Sequence, residues 1–145
     1  MLREQLIDAF ANAIAFAEGY YVTGSRASRN NNPGNLTVDL TGKAISKDGT
    51  FVVYATILDG WEALKKQAAM IIDNTSQIYN SGMTLMEIAQ RYTTTEQTAW
   101  ATNVASRLGI PVDVPISSLL SKNVVVDVGF LLMLIGFWYW YSKQH

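Results

Sequence analysis

Glu18 and the run Asn30-Asn31-Asn32-Pro33-Gly34-Asn35 are the residues whose types and spacing could do chemistry in this chain. Glu18 follows Leu6, Ile7, Phe10, Ile14 and Ala17, which recur at the i, i+3, i+4, i+7 spacing of an amphipathic helix. At about 100° per residue its side chain projects close to those of Ile7 and Ile14, on the apolar side of the helix end. Partial burial disfavours a carboxylate there, and so does the negative end of the helix dipole. A glutamic acid that keeps its proton near neutral pH suits a general acid that protonates a glycosidic oxygen. The plainer reading is a helix-end glutamate bent out to solvent.

The asparagine run also has two readings. Asn, Pro and Gly are the ordinary material of turns. They also suit sugar recognition, because hydroxyls and N-acetyl groups need neutral donors and acceptors, and Asn32 and Asn35 offer both. Gly34 would let backbone approach a ligand. Tyr92 and Trp100 suit either a core or a platform for a ligand; Trp61 reads as core. Glu96, with Gln97 beside it, sits where a helix starts, a place that favours negative charge, and could also rim a cleft. Asp39 and Asp48 are the remaining candidates for a second carboxylate.

These residues need a scaffold, and the chain has one. Residues 25 to 35 read as a loop. Leu36 to Leu40 and Thr50 to Thr56 are β-prone runs around Gly42 and Asp48-Gly49, which suggests a small hairpin. Asp59-Gly60-Trp61-Glu62, Thr84-Leu85-Met86-Glu87 and Thr94-Thr95-Glu96-Gln97 each fit a capping box, with Asp59 as an N-cap and Glu62 and Glu87 at the third helical position. Helical periodicity follows each one, and Gly109 is placed to end the last helix. Pro111 and Pro115 hold an extended exit. The order is helix, loop, hairpin, then several helices, which is an α+β domain dominated by helices.

Composition narrows the function. A chain of 145 residues suggests one domain with a core of its own. A net charge of −1 with no basic stripe argues against nucleic acid as partner. No cysteine is present, so no disulfide framework exists. The one histidine is the terminal His145, which argues against a histidine triad or a zinc site. Neither a metal nor an organic cofactor is implied. Asp8, Asn12 and Glu18 interrupt the N-terminal apolar run, so it does not read as a secretory signal. Val124 to Tyr141 is apolar except for Asp127 and ends in Phe137-Trp138-Tyr139-Trp140-Tyr141. As a helix it would extend roughly 27 Å, close to a bilayer core, with the aromatic cluster at the interface. A buried terminal helix is the alternative. Lys122 and Lys143 flank the segment, so charge gives no orientation.

Four blocks in series resemble the lysozyme-like superfamily of goose-type lysozymes and lytic transglycosylases. More closely, they resemble short muralytic proteins of phage particles and prophages with an Arg-x-Asn-Asn-Pro-Gly-Asn-Leu signature. The blocks are the helix ending Ala17-Glu18-Gly19; Arg29 to Leu36; Gly49-Thr50-Phe51 with Val53-Tyr54 leading to Asp59 through Leu64; and Ile88 to Tyr92 through Glu96-Gln97 to Val104 through Ile110. The resemblance implies Glu18 as the single catalytic acid. It sets Pro33-Gly34-Asn35-Leu36 where the transglycosylases carry Gly-Leu-Met-Gln beside the cleft. Ala89 and Tyr92 fall near an Ala-Tyr-Asn element whose Tyr contacts the glutamate, with Thr93 where Asn is usual.

The expectation is therefore a lysozyme-like catalytic domain over 1–115, a linker over 116–123, a transmembrane helix over 124–141 and a tail over 142–145. Its expected activity is lytic transglycosylase cleavage of the MurNAc-β-1,4-GlcNAc bond of peptidoglycan. Glu18 would be catalytic, and Asn32, Gly34, Asn35, Tyr92, Glu96 and Gln97 would bind substrate. Expected partners are peptidoglycan strands, a lipid bilayer through 124–141 and other virion proteins. That anchor would place the chain in a virion membrane or a bacterial envelope. Hydrolysis remains open beside transglycosylation. Two rivals are an inactive lysozyme-like structural or binding subunit of a membrane-containing virion, and a small holin- or toxin-like membrane protein.

Overall fold

The computed structural model describes residues 1–121. They form α1 (Arg3–Ala17), a short α2 (Arg26–Arg29), an antiparallel hairpin of β1 (Ala44–Asp48) and β2 (Phe51–Tyr54), then α3 (Ile57–Ile72), α4 (Leu85–Tyr92) and α5 (Gln97–Leu108). A 3₁₀ turn at Ile116–Leu119 closes the unit.

The apolar stripe of α1 fixes this arrangement. Leu6, Phe10 and Ile14 are fully buried, and α1 packs against both α3 and α5. Leu64, Ile71, Leu85, Ile88 and Val104 complete the core from α3, α4 and α5. Each such side chain stabilises the fold by roughly 1.5–3 kcal/mol. A second, smaller cluster of Leu36, Val52, Tyr54 and Ala63 lies under the hairpin. Tyr92 packs against both clusters.

Helix ends follow local chemistry. The Thr84–Glu87 capping box is present: the Thr84 hydroxyl accepts from the Glu87 N–H at 3.2 Å, and the Glu87 carboxylate accepts from the Thr84 N–H at 2.8 Å. Gly109 ends α5 with φ +70°, a left-handed conformation that costs glycine nothing.

The structure corrects several sequence expectations. Leu36 to Leu40 is not a strand. Asp39 instead curls the chain, because its carboxylate accepts from the N–H groups of Thr41, Gly42 and Ala44 at 3.0–3.1 Å. The strand begins only at Ala44. The first expected capping box starts three residues earlier, since the Thr56 hydroxyl, not Asp59, accepts at the start of α3. Glu62 then pairs with Lys43 at 2.6 Å. The third box does not form: Glu96 precedes α5 with φ +55° and makes no side-chain cap. The boundary expected after Pro115 falls inside the packed unit. Ile116 is fully buried, the Ser117 N–H bonds the Ser81 carbonyl, and the Ser121 N–H bonds the Met1 carbonyl at 2.8 Å.

The expected membrane-crossing helix is also corrected. The described fold is α+β, helix-rich with a two-stranded sheet, and among the described residues no helix is long and apolar enough to cross a membrane. The segment 124–141, to which that expectation was attached, lies outside the described residues.

Candidate active site

Glu18 is the C-cap of α1. Its N–H still bonds the Ile14 carbonyl at 2.9 Å, while Gly19 turns the chain away with φ +70°. The helical register that buries Ile14 therefore aims the Glu18 side chain inward, where two donors meet it. The Asn35 amide N–H reaches Oε2 at 2.8 Å, and the Trp100 indole N–H reaches Oε1 at 2.8 Å. Burial raises the Glu18 pKa above its ordinary value, and the hydrogen bonds from Asn35 and Trp100 oppose that rise. The result is a carboxyl group with one fixed donor on each oxygen and a raised affinity for its proton.

The group opens onto a cleft of about 540 Å³. Arg26, Thr37, Thr50 and Phe51 contribute one part of its lining. Another part comes from the segment that joins α4 to α5, with Thr93, Thr94, Thr95 and Glu96, and from Asn103 on α5. Hydroxyls and amides dominate. Such a surface offers hydrogen bonds to a neutral polyhydroxylated ligand without the desolvation cost of many charges. Among the described residues no group of three or more His, Asp or Glu side chains converges as a metal site would require.

The other residues singled out in the sequence divide into two sets. Asn35, Tyr92 and Glu96 line the cleft with Glu18. Asn35 holds φ +45°, a left-handed conformation that Asn tolerates, and this presents its amide to Glu18. Its Oδ1 is buried with no hydrogen-bond partner. Tyr92 does not contact Glu18 by hydrogen bond; its hydroxyl donates to the Gly34 carbonyl at 2.8 Å. Burial and the neighbouring Glu18 charge push the Tyr92 phenol pKa well up, so it acts as a fixed neutral donor. The Tyr92 ring leans on Trp100 with centroids 5.0 Å apart.

Asn32, Gly34 and Gln97 serve the protein instead. Asn32 is fully buried; its amide donates to the Leu36 and Val52 carbonyls at 2.9 and 2.8 Å and accepts from the Leu36 N–H at 2.9 Å. Gly34 permits close packing, since a Cβ there would sit 2.7 Å from Leu64 Cδ1 and 2.9 Å from the Tyr92 hydroxyl. Gln97 reaches back to the Thr93 carbonyl at 3.1 Å and bridges the start of α5. Asp39 is held down to about 2, first by the Ala44 N–H and then by the Thr41 and Gly42 donors, so it is a turn anchor. Asp48 accepts from the Asn30 amide at 3.1 Å.

Sequence reasoning missed the role of Trp100 as a donor to Glu18. The signal available was chemical: a buried indole N–H needs an acceptor, but nothing local shows that this acceptor lies 82 residues away. It also missed Arg26, whose guanidinium lies over the Phe51 ring at 4.4 Å. No protein-family model, curated protein or solved structure matches this chain.

Proposed function

We propose that this chain cleaves the β-1,4 bond between N-acetylmuramic acid and N-acetylglucosamine in peptidoglycan, with Glu18 as its single acid–base group. The observation that carries the reading is the Glu18 carboxyl, partly buried and fixed by Asn35 and Trp100, at the wall of a hydroxyl-rich cleft. The four sequence blocks that resemble muralytic enzymes support the same substrate.

The chemistry follows from one group working twice. Protonated Glu18 gives its proton to the bridging oxygen as the C1–O bond breaks. The carboxylate left behind then accepts the proton of the sugar's own 6-hydroxyl as that oxygen bonds C1. The product carries a 1,6-anhydro ring, no water is consumed, and Glu18 ends protonated again. Asn35 and Trp100 stabilise the carboxylate at the midpoint without themselves exchanging protons. Glycosidases that hydrolyse ordinarily use two carboxylates. Asp39 and Asp48 are engaged elsewhere, so Glu96 is the other carboxylate on the cleft among the described residues.

Mass analysis of muropeptides released by the full chain tests the reading. Products one water lighter than reducing-end fragments support transglycosylation. Reducing-end fragments alone would mean hydrolysis and bring Glu96 into the mechanism. A folded chain that releases nothing would leave a wall-binding or structural subunit in place of an enzyme.

A further inference from the structure

The cleft carries one cation among the described residues, Arg26. The guanidinium carbon lies over the Phe51 ring, 4.4 Å from its centroid, and Phe51 itself lines the cleft. Its ionic contact among the described residues is with Asp48, whose Oδ2 lies 3.7 Å from Nε, outside hydrogen-bond range. That same oxygen already accepts from the Asn30 amide at 3.1 Å. The Arg26 side chain stays half exposed. A guanidinium over a ring keeps its N–H donors available, and Arg can give a carboxylate two parallel bonds. The carboxyl side chains on the cleft are those of Glu18 and Glu96, and neither offers a positive partner to an anion.

We propose that Arg26 reads a carboxylate on the glycan substrate bound in the cleft of Glu18. This rests on the peptidoglycan reading above. Two carboxylates in peptidoglycan have the required chemistry: those of the stem peptide, and the lactyl group of a muramic acid that has lost its peptide. Neutral glycans of N-acetylglucosamine have neither.

The test is binding, so that it does not depend on turnover. Full-length chain carrying Glu18→Gln is titrated with four-sugar glycan fragments, with Trp fluorescence or calorimetry as the readout. Four probes are used: fragments with stem peptides, the same fragments with carboxylates converted to amides, peptide-free fragments with free lactyl groups, and chitotetraose. Binding of the peptide-bearing or the lactyl fragment should be about tenfold tighter than that of its uncharged counterpart. Whichever anionic probe binds tighter identifies the source of the carboxylate. Adding Arg26→Gln should erase the preference, and Arg26→Lys should restore only part of it. Absence of the preference, its survival in Arg26→Gln, or failure of every probe to bind would overturn the inference. The enzymatic reading fails separately: unsubstituted chain that shows the preference but releases no muropeptides keeps Arg26 and loses the catalytic assignment. Wall cleavage without the preference does the reverse.

Discussion

The Asn30–Leu36 loop and the Thr93–Glu96 segment both border the site, and both are rich in small polar residues. In the first, the side chains face inward. Asn30 bonds Asp48, Asn31 bonds the Tyr54 carbonyl, and Asn32 ties together Leu36 and Val52. Helix α3 presses so close that a Cβ on Gly60 would sit 1.7 Å from the Asn31 carbonyl oxygen. In the second, Thr94, Thr95 and Glu96 stand exposed on the cleft. Amide-rich sequence thus builds a rigid frame in one region, and hydroxyl-rich sequence a wettable wall in the other. Asn35 is where the frame reaches the chemistry, through one hydrogen bond to Glu18.

If this division is right, the largest effect on activity belongs to Glu18. Glu18→Gln keeps the shape and removes the proton, so wall cleavage should fall by roughly 10²–10⁴ in a turbidity-clearing assay. The pH dependence of stability should change as well. Burial raises the pKa of Glu18 in the folded state above its ordinary 4.5. The folded state therefore holds the proton more tightly than the unfolded state, and stability falls as pH rises from about 4.5 through the folded value, then levels off. Denaturation of the Gln variant should lack that decline, on a level lowered by whichever donor, Asn35 or Trp100, then faces the amide NH2 instead of an oxygen. A parent-like clearing rate in a folded Glu18→Gln chain would sink the catalytic assignment.

The frame should break next. Asn32→Ala removes the side-chain partner of the Val52 carbonyl and of the Leu36 N–H, while the Leu36 carbonyl keeps the Val52 N–H at 2.8 Å. Leaving two such groups unsatisfied costs about 1–3 kcal/mol each, so a loss of roughly 2–5 kcal/mol is expected in urea unfolding. Were Asn32 a sugar ligand, Asn32→Ala would instead fold normally and bind glycans poorly. A stability change under about 1 kcal/mol would remove Asn32 from the frame.

Trp100 sharpens the boundary between frame and chemistry. Trp100→Phe keeps a ring against Tyr92 but deletes the donor to Glu18 Oε1. One lost donor to a charged group should lower the cleavage rate about tenfold. It should also raise the Glu18 pKa further, because a bond that favours the carboxylate is gone. A general acid works while protonated, so the alkaline limb of the pH–rate profile should move to higher pH. A rate loss with an unmoved limb would mean that Trp100 only packs.

The parts legible from sequence were those set by neighbours in the chain. The α1 periodicity placed Glu18 on the inner face, Thr84 and Glu87 marked the start of α4, and Gly109 marked the end of α5. The parts that were not legible depend on distant partners. Leu36 to Leu40 has the composition of a strand, yet the Asp39 carboxylate captures three N–H groups beyond it and bends the chain first. Asn32 and Asn35 are the same residue type three positions apart. Only the left-handed turn at Asn35 and the burial of Asn32 decide which of them meets Glu18.

Tyr92 joins the two regions, and its loss should have the smallest effect. Its ring belongs to the α4–α5 side, against Trp100, while its hydroxyl holds the frame at the Gly34 carbonyl, one residue before Asn35. Tyr92→Phe keeps the ring and leaves one carbonyl without its donor, a loss of about 1 kcal/mol and a fall of roughly 2–8 °C in Tm. The effect on activity depends on how stiff the frame is. Asn32 and the packing of Leu64 against Gly34 hold the loop independently of Tyr92. Asn35 should therefore keep its place, and cleavage should stay within about threefold of the parent rate, under 1 kcal/mol. A tenfold or greater loss in a Tyr92→Phe chain that is still folded would show that the frame alone does not position Asn35. The asparagine loop and the α4–α5 wall would then act as a single unit, coupled through one phenol.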